Sequence, residues 1–218
     1  MNQTIDNNSL KKYLKNQLNL FFPDGVESDN LTFVIDKAMI KIEYCFKYIS
    51  LPYYSDKHGT SIFNHLNADH YTMFIYFCSY QAFSCNDNHL ARKLFYLNKV
   101  LHSFHCMYDT KLPDIFLIIH GLGTVLGKAK YNNFFVITQG CTVGADNNHI
   151  PIIAEKVILY PNVSVIGKCN IGENTTVSIN TLLLNSTTGR GNIVFERDGK
   201  LKFKKARKNQ LKKFFKII

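Results

Sequence analysis

The chain has 218 residues, of which 46% are hydrophobic and 19% charged, a composition that indicates a globular protein of one or two domains. Its net charge of +10 is concentrated in residues 200–218, which hold nine Lys or Arg residues and no acid, so the remainder is close to neutral. The start of the chain is polar and no apolar run is long enough for a signal peptide or a membrane span, which predicts a cytoplasmic location.

Residues 1–110 are predicted to form an α-helical domain, because their apolar residues recur at helical spacing. Polar residues that favour helix starts precede several of these segments. The predicted helices are one with Leu10, Tyr13, Leu14, Leu18 and Phe21 on one face, one over 31–49, one over 70–83 with Asp69 as its N-cap, and one that follows Asn86 or Asp87 and reaches Cys106.

After Pro113 the apolar period changes from 3.6 to six residues. A helix cannot keep such a period on one face and a flat strand repeats every two residues, whereas a β-solenoid repeats every six. About ten such hexads are visible. The first series is aliphatic except for Tyr131, and its members are Val125, Tyr131, Ile137, Val143, Ile153, Leu159, Val165, Ile171, Val177 and Leu183. The second series follows four positions later and is small or β-branched except for Phe135, with members Ala129, Phe135, Cys141, Val157, Val163, Cys169, Thr175, Thr181 and Thr187.

The repeat predicts a parallel β-helix domain over residues 111–192, and the overall fold class is α+β. The interval from Val143 to Ile153 is ten residues instead of six, so four extra residues are predicted to leave a corner as a loop. Residues 193–218 are predicted to be a C-terminal hairpin and a basic tail. The turn signal of the hairpin is Arg197-Asp198-Gly199-Lys200.

The tail carries Leu211, Phe214, Phe215 and Ile218 at the spacing of one helix face, with lysines between them. A short basic amphipathic helix of this kind packs on its own protein, helps to hold the 3′-phosphate of CoA, or makes weak contact with an anionic membrane. Packing on its own protein is the favoured interpretation, and nucleic acid is not an expected partner.

Two histidines fall in the β-helix region. His120 precedes the regular repeat, and His149 lies in the predicted loop. Imidazole titrates near neutral pH and can take a proton from a hydroxyl, and a carboxylate such as Asp114 could orient it. The alternative is that His120 is an ordinary corner residue. Periodicity alone does not separate the two.

Residues 112–127 (LPDIFLIIHGLGTVLG), 138–144 (TQGCTVG) and 148–151 (NHIP) resemble the serine acetyltransferase family, whose corresponding patterns are DHATGIVVGE, LQxVTLGG and RHP. The resemblance covers roughly residues 65–185. It is nearest to divergent members associated with surface-polysaccharide genes. It implies a helical domain before a left-handed parallel β-helix, acetyl-CoA as co-substrate, and homotrimers or dimers of trimers with active sites between subunits.

The resemblance also implies roles for individual residues. His120 matches the catalytic base, and Asp114 is the candidate for the carboxylate that orients it. The substrate-binding candidates are His149, Asp69 and Asn148. Tyr160 and Ser178 match positions of the later coils along which acetyl-CoA lies.

Two departures from the family pattern concern the acceptor. The acid before the catalytic histidine is Ile119 here, and the arginine before the second histidine is Asn148. In the family these charges hold the amino and carboxylate groups of L-serine, and an Arg–carboxylate pair is strong. Their loss favours a neutral hydroxyl, such as that of a sugar in surface-polysaccharide biosynthesis. The alternatives are a serine O-acetyltransferase for cysteine biosynthesis and an inactive β-helix scaffold.

Two weaker signals are interpreted as structural. His102, His105 and Cys106 form an H-x-x-H-C cluster on a predicted helix, but no second pair of ligands accompanies it, so no metal is expected. Cys141 falls on the small-residue series and is predicted to be a core residue.

Overall fold

The computed structural model describes residues 1–206 and 210–216. Polar caps define where three of the helices begin, because the side chains of Asp6, Asn67 and Asp87 accept hydrogen bonds from backbone amides of the first turn. Among the described residues no helix is long and apolar enough to cross a bilayer. The helices are α1 (Asn7–Phe21), α2 (Leu31–Phe46), α3 (Ala68–Ser84) and α4 (Asn88–His102).

The predicted helices are therefore present, with different ends. Asp69 is not the N-cap of α3, because Asn67 accepts the amide hydrogens of Asp69 and His70. Helix α4 stops at His102, where Ser103 takes a left-handed backbone conformation, so the predicted extension to Cys106 is wrong. On the face of α1, Leu10, Leu14 and Leu18 are buried, while Phe21 is exposed.

A two-stranded sheet ties the chain start to the helical domain, through β1 (Asn2–Gln3) and β2 (Ile62–Phe63). All other strands belong to a solenoid with three flat faces. Face 1 contains β4 (Phe116–Ile119), β7 (Phe135–Thr138), β10 (Ile158–Leu159), β13 (Thr176–Val177), β15 (Asn192–Arg197) and β16 (Lys200–Lys205). Face 2 contains β3 (His105–Cys106), β5 (Val125–Leu126), β8 (Thr142–Gly144), β11 (Ser164–Ile166) and β14 (Leu182–Leu184). Face 3 contains β6 (Lys130–Tyr131), β9 (Ile152–Ile153) and β12 (Asn170–Ile171).

The chain visits faces 1, 2 and 3 in turn, and strands of successive coils on one face pair in parallel. The solenoid has about five turns. Leu159 pairs with Val177, which lies three hexads further along the chain. Ile137 pairs with Leu159, and this coil is longer than three hexads. Its additional residues lie between β8 and β9, which confirms the loop that the sequence predicts.

The aliphatic series points inward, as predicted, for all but its first member. From Ile137 to Leu183 its residues are completely buried. Val125 is exposed and its neighbour Leu126 is buried in its place, because the corner before β5 is longer than a regular one. In the smaller-residue series Thr187 is exposed and Thr188 is buried, so the phase also shifts where the coils end.

The predicted hairpin is confirmed: β15 and β16 pair antiparallel around Asp198 and Gly199, both of which have positive φ. The tail differs from the predicted helix. Residues Gln210–Lys213 form a 3₁₀ turn, and Leu211 and Phe215 are buried in their own chain. Of the predicted helix face, Ile218 lies outside the described residues.

The C-terminal segment crosses the junction between the helical domain and the β-helix. Phe215 forms a β-bridge with Ile49, at the end of the α2 region, and its ring packs edge-on against Phe134 of the solenoid. The backbone amide of Ser50 donates to Phe214, and that of Lys216 donates to Tyr48. The tail therefore holds the two halves of the molecule together.

Candidate active site

The helical domain and the β-helix meet at Asp69 and His120. Asp69 lies in the first turn of α3, and its Oδ1 accepts a hydrogen bond of 2.9 Å from the backbone amide of His120. Its second carboxylate oxygen is 3.9 Å from Nδ1 of the His120 ring. The acid therefore fixes the backbone of the histidine and also faces its ring.

The β-helix presents His120 at a corner that is longer than the others. Ile118 pairs with Ile137 and Leu126 pairs with Val143. The step from face 1 to face 2 is thus eight residues here, against six in the next coil. The two additional residues push the corner outward. His120 has a φ of 51° and its side chain is 74% exposed.

A cleft of about 160 Å³ lies beside this corner, between the two domains. One wall is formed by helix α3 and the end of α4, and the other by the His120 corner. Its lining residues are Ala68, Asp69, Thr72, Leu101, His102, His120, Gly121 and Leu122. The cleft is large enough for a small molecule next to the imidazole.

Burial raises the pKa of Asp69 above its ordinary value, because the carboxylate is partly removed from water. The hydrogen bond from the His120 amide and the neighbouring imidazole act in the opposite direction. The partly desolvated carboxylate of Asp69 therefore lies directly beside the imidazole of His120.

Asp114 does not lie beside His120. Its carboxylate accepts a hydrogen bond of 2.8 Å from Lys41 Nζ, and both groups are exposed. The reason is geometric: Asp114 precedes strand β4 and His120 follows it, so the strand separates them. At about 3.3 Å per residue, the two residues are on the order of 20 Å apart along the chain. The expected pairing of Asp114 with His120 is therefore corrected to one of Asp69 with His120.

His149 and Asn148 lie in the four-residue extrusion after β8. The backbone groups of Asp146 and His149 bond to each other in both directions, at 2.8 and 3.0 Å, and close the loop. Asn148 has positive φ, and His149 Nδ1 contacts the Asn147 carbonyl at 3.0 Å. The chain reaches His120 before it enters face 2, and it reaches this loop after it leaves face 2. One chain therefore places the two histidines at opposite edges of the same face.

Tyr160 and Ser178 lie on the His120 edge of the β-helix. Each follows a face 1 strand, and the pairing of Leu159 with Val177 places them at the same height of successive coils. One coil earlier the corresponding residue is Thr138, which pairs with Ile119, the neighbour of His120. The two candidate cofactor-binding residues are therefore aligned with the candidate base along one edge.

The H-x-x-H-C cluster does not lie on one helix, because His102 ends α4 and His105 and Cys106 form β3. In the part of the chain that the structure describes, no three His, Cys, Asp or Glu side chains group as they would around a metal ion. His102 lines the cleft instead. Cys141 is buried, as predicted, and its thiol contacts the Tyr160 carbonyl at 3.1 Å.

Sequence comparison gives limited similarity. No family model matches the chain. A serine acetyltransferase of Synechococcus elongatus is 27% identical over 100 residues, which are 44% of this chain and 41% of that protein. The matched region thus spans about two fifths of the length of this relative.

Structural similarity is more extensive. The chain is similar to a serine acetyltransferase from Brucella abortus strain S19 in complex with coenzyme A, with a TM-score of 0.69, 13% identity, and coverage of 94% of this chain and 84% of that one. It is also similar to a Neisseria gonorrhoeae serine acetyltransferase in complex with serine, with a TM-score of 0.66, 16% identity, and coverage of 89% and 83%.

The fold is a helical domain followed by a left-handed parallel β-helix of hexapeptide repeats, which confirms the predicted fold class. The resemblance to the serine acetyltransferase family is also confirmed, since the sequence relative and the solved structures with this fold carry that name.

Proposed function

We propose that the protein is an acetyl-CoA-dependent O-acetyltransferase in which His120 is the general base. The observation that carries this proposal is the contact of Asp69 with His120 beside a cleft, on the same edge as Tyr160 and Ser178. A β-helix of this fold has been solved with coenzyme A, which supports acetyl-CoA as the co-substrate.

The contact with Asp69 suggests how the proton moves. With Nδ1–H of His120 directed at the carboxylate, Nε2 is the free base. As the acceptor oxygen attacks the thioester carbon, its proton passes to Nε2. The C–S bond then breaks, and the imidazolium returns the proton to the departing sulfur. The products are an acetyl ester and CoA with a free thiol.

Acetyl-CoA is proposed to lie along the edge where face 1 turns into face 2. Tyr160 and Ser178 occupy this edge in the second and third coils beyond that of His120, and both are only partly buried. A ligand extended along them would bring its thioester toward His120. Backbone N–H groups of the corners are candidates for stabilising the oxyanion.

A neighbouring copy of the chain is proposed to complete the site, as in the trimers that the family resemblance implies. His120 and the loop with His149 lie at opposite edges of face 2, so one chain cannot bring them together. Around a threefold axis, the loop of one subunit can meet the His120 edge of the next. A homotrimer, or a dimer of trimers, would therefore contain three or six equivalent sites.

L-serine is the acceptor that the comparisons support best. The sequence relative and the structural neighbours are serine acetyltransferases, and one neighbour was solved with serine. Asp69 offers a carboxylate to the ammonium group of such a substrate. In this interpretation the protein forms O-acetyl-L-serine.

A sugar hydroxyl is the second candidate, and the observation that favours it is the chemistry around the two histidines. Ile119 and Asn148 stand where the family pattern has an acid and an arginine. Asn148 cannot form the charged bidentate bond that an arginine makes with a carboxylate. A neutral acceptor from surface-polysaccharide biosynthesis needs no such bond.

Release of free thiol from acetyl-CoA, measured with L-serine and with a panel of sugars and nucleotide sugars, tests the proposal. Release with serine alone supports a serine acetyltransferase, and release with a sugar alone supports the second acceptor. Binding of CoA without release with either would leave a larger, carrier-linked acceptor to be tested. A protein that binds no CoA would be the scaffold alternative, and the proposed function would be wrong.

A further inference from the structure

His102 forms part of the cleft wall opposite His120, although neither the predicted catalytic set nor the mechanism includes it. It is the last residue of α4, and its ring packs edge-on against Tyr71 at 5.9 Å. One ring nitrogen, Nδ1, is 2.7 Å from the side-chain oxygen of Asn98. In the described part of the chain, Nε2 has no hydrogen-bond partner and is not among the buried orphan atoms, so solvent reaches it.

A chain of hydrogen bonds determines which nitrogen of His102 carries the hydrogen. Asn98 is buried, and its side-chain NH₂ donates to the backbone carbonyl of Thr72 at 3.1 Å. A carbonyl can only accept, so the amide oxygen of Asn98 must be the group that faces His102. That oxygen also only accepts, so Nδ1 must donate and Nε2 keeps its lone pair. Burial lowers the pKa of His102 to about 4, which keeps the ring neutral at pH 7.

We infer that His102 is a specificity-determining residue, whose Nε2 accepts a hydrogen bond from a second donor group of the acetyl acceptor. The inference rests on the proposed acetyltransferase function, because it assigns this cleft to the acceptor. The group that His102 would recognise is a hydroxyl or an ammonium adjacent to the hydroxyl that reacts.

The rest of the cleft has the same hydrogen-bonding character. Asp69 accepts through its carboxylate, and the hydroxyl of Thr72 has already donated its hydrogen to the Ala68 carbonyl at 2.7 Å. Together with His102, the wall offers acceptors and hardly any donors. A ligand with two adjacent donors satisfies such a wall, whereas a carboxylate placed there would meet only lone pairs. The acceptor should therefore turn its donor-bearing carbons, not an acid group, toward α3 and α4.

The first test compares acceptors that differ by one donor group. If the wild-type protein acetylates L-serine, the matched compound is 3-hydroxypropanoate, which lacks the amino group. If it acetylates a sugar, the matched compounds are a methyl glucoside and its monodeoxy derivatives. The variant is His102→Phe, which keeps an aromatic ring against Tyr71, and the control is His105→Phe, whose ring packs on Phe95 outside the cleft.

We expect His102→Phe to lower kcat/KM about tenfold for the complete acceptor and less than twofold for one analogue that lacks a donor, with KM for acetyl-CoA unchanged. His102→Gln, which places an amide oxygen near the Nε2 position, should recover part of the loss. Equal losses with the complete acceptor and every analogue, or no loss, would overturn the inference.

The second test does not depend on turnover, so it separates this inference from the proposed function. In nitrogen-15 spectra of the full-length protein, the His102 signals are identified by their loss in His102→Phe. We expect an unprotonated Nε2 at pH 7 whose signal moves when L-serine or the methyl glucoside is added. A protonated Nε2, or a signal that neither compound moves, would contradict the inference even in an active enzyme.

Discussion

Asp69 and His120 are 51 residues apart in sequence, and the carboxylate of one accepts the backbone amide of the other at 2.9 Å. The acid comes from the helical domain and the histidine from a β-helix corner. The geometry of the candidate base thus depends on how the two domains are docked.

Replacing His120 with alanine should reduce kcat by at least 10²–10⁴-fold, the usual contribution of a general base. The side chain is exposed, so the fold and the oligomer should be unchanged. Steady-state kinetics and size-exclusion chromatography measure the two effects. His58→Ala, another exposed histidine, is the control, and near-normal turnover in His120→Ala would contradict the assigned role.

Asp69→Asn and Asp114→Asn should behave differently. The first change removes the charge that faces the His120 ring and should lower kcat by about 10–10³-fold with little effect on KM for acetyl-CoA. The second removes an exposed ion pair with Lys41, which contributes about 0–1 kcal/mol, and should leave kcat within about twofold. A larger loss of kcat in Asp114→Asn would restore the role that the sequence alone predicts for this acid.

Deleting residues 146–149 should remove activity without unfolding the β-helix. The deletion restores the regular coil length of three hexads, and the loop closes on itself through the paired backbone groups of Asp146 and His149. We expect a melting temperature within a few degrees of the wild type and a loss of turnover, because His149 is removed. Full activity of the shortened protein would exclude the loop from the site.

Phe215→Ala should destabilise the protein by about 3–5 kcal/mol, because a fully buried phenylalanine is replaced by a cavity. Phe214→Ala is the matched control. It should lower the free energy of unfolding by less than Phe215→Ala does, because the Phe214 side chain is only partly buried. Urea unfolding of both variants measures the difference. Equal stability of Phe215→Ala and the wild type would show that the tail does not hold the two domains together in solution.

The stability of the protein should fall as the pH drops from about 6.5 toward 4, partly because of His70. Burial lowers the pKa of this histidine to about 4, and in the unfolded chain it is near 6.5. The unfolded state therefore binds more protons within this window, so acid favours unfolding, by about 2 kcal/mol between pH 7 and pH 5.

His70→Asn tests this expectation. The backbone amide of Asn64 donates a hydrogen bond of 3.1 Å to His70 Nδ1, and the side-chain oxygen of an asparagine can still accept that hydrogen bond. The variant should be less stable than the wild type at pH 7 and lose less stability on acidification. Urea unfolding at pH 7 and pH 5 measures both. An unchanged pH dependence would mean that His70 does not contribute to acid sensitivity.

The sequence predicts the β-helix well because its core repeats every six residues, and a shift of one residue would turn an aliphatic side chain to the solvent. It also predicts the extruded loop, since an interval of ten is visible in the same series. Which of Val125 and Leu126 faces inward could not be predicted in the same way. Both residues are aliphatic, and the two additional residues of the His120 corner decide between them.

The contacts within the site are harder to predict, because they join segments that no local pattern relates. Asp114 is near His120 in sequence, but an intervening strand keeps them apart, whereas Asp69 reaches it through the docking of α3. The sequence singles out His102 only through its metal-like spacing with His105 and Cys106, and this spacing does not predict its place in the cleft. Helix α4 ends at His102, so the two histidines lie on different elements. The tail packs on its own protein, as the sequence predicts, but it does so as a 3₁₀ turn, because its conformation is set by contacts with distant residues such as Ile49.

Strand β16 has a consequence for how the molecule meets other copies of itself. An open parallel sheet can accept a further strand from another chain, which leads to fibres and aggregates. Here β16 runs antiparallel to β15 and carries four lysines, Lys200, Lys202, Lys204 and Lys205, along an exposed edge. A second molecule approaching this end would meet a dense positive charge and a reversed strand direction, so face 1 is protected against end-to-end growth.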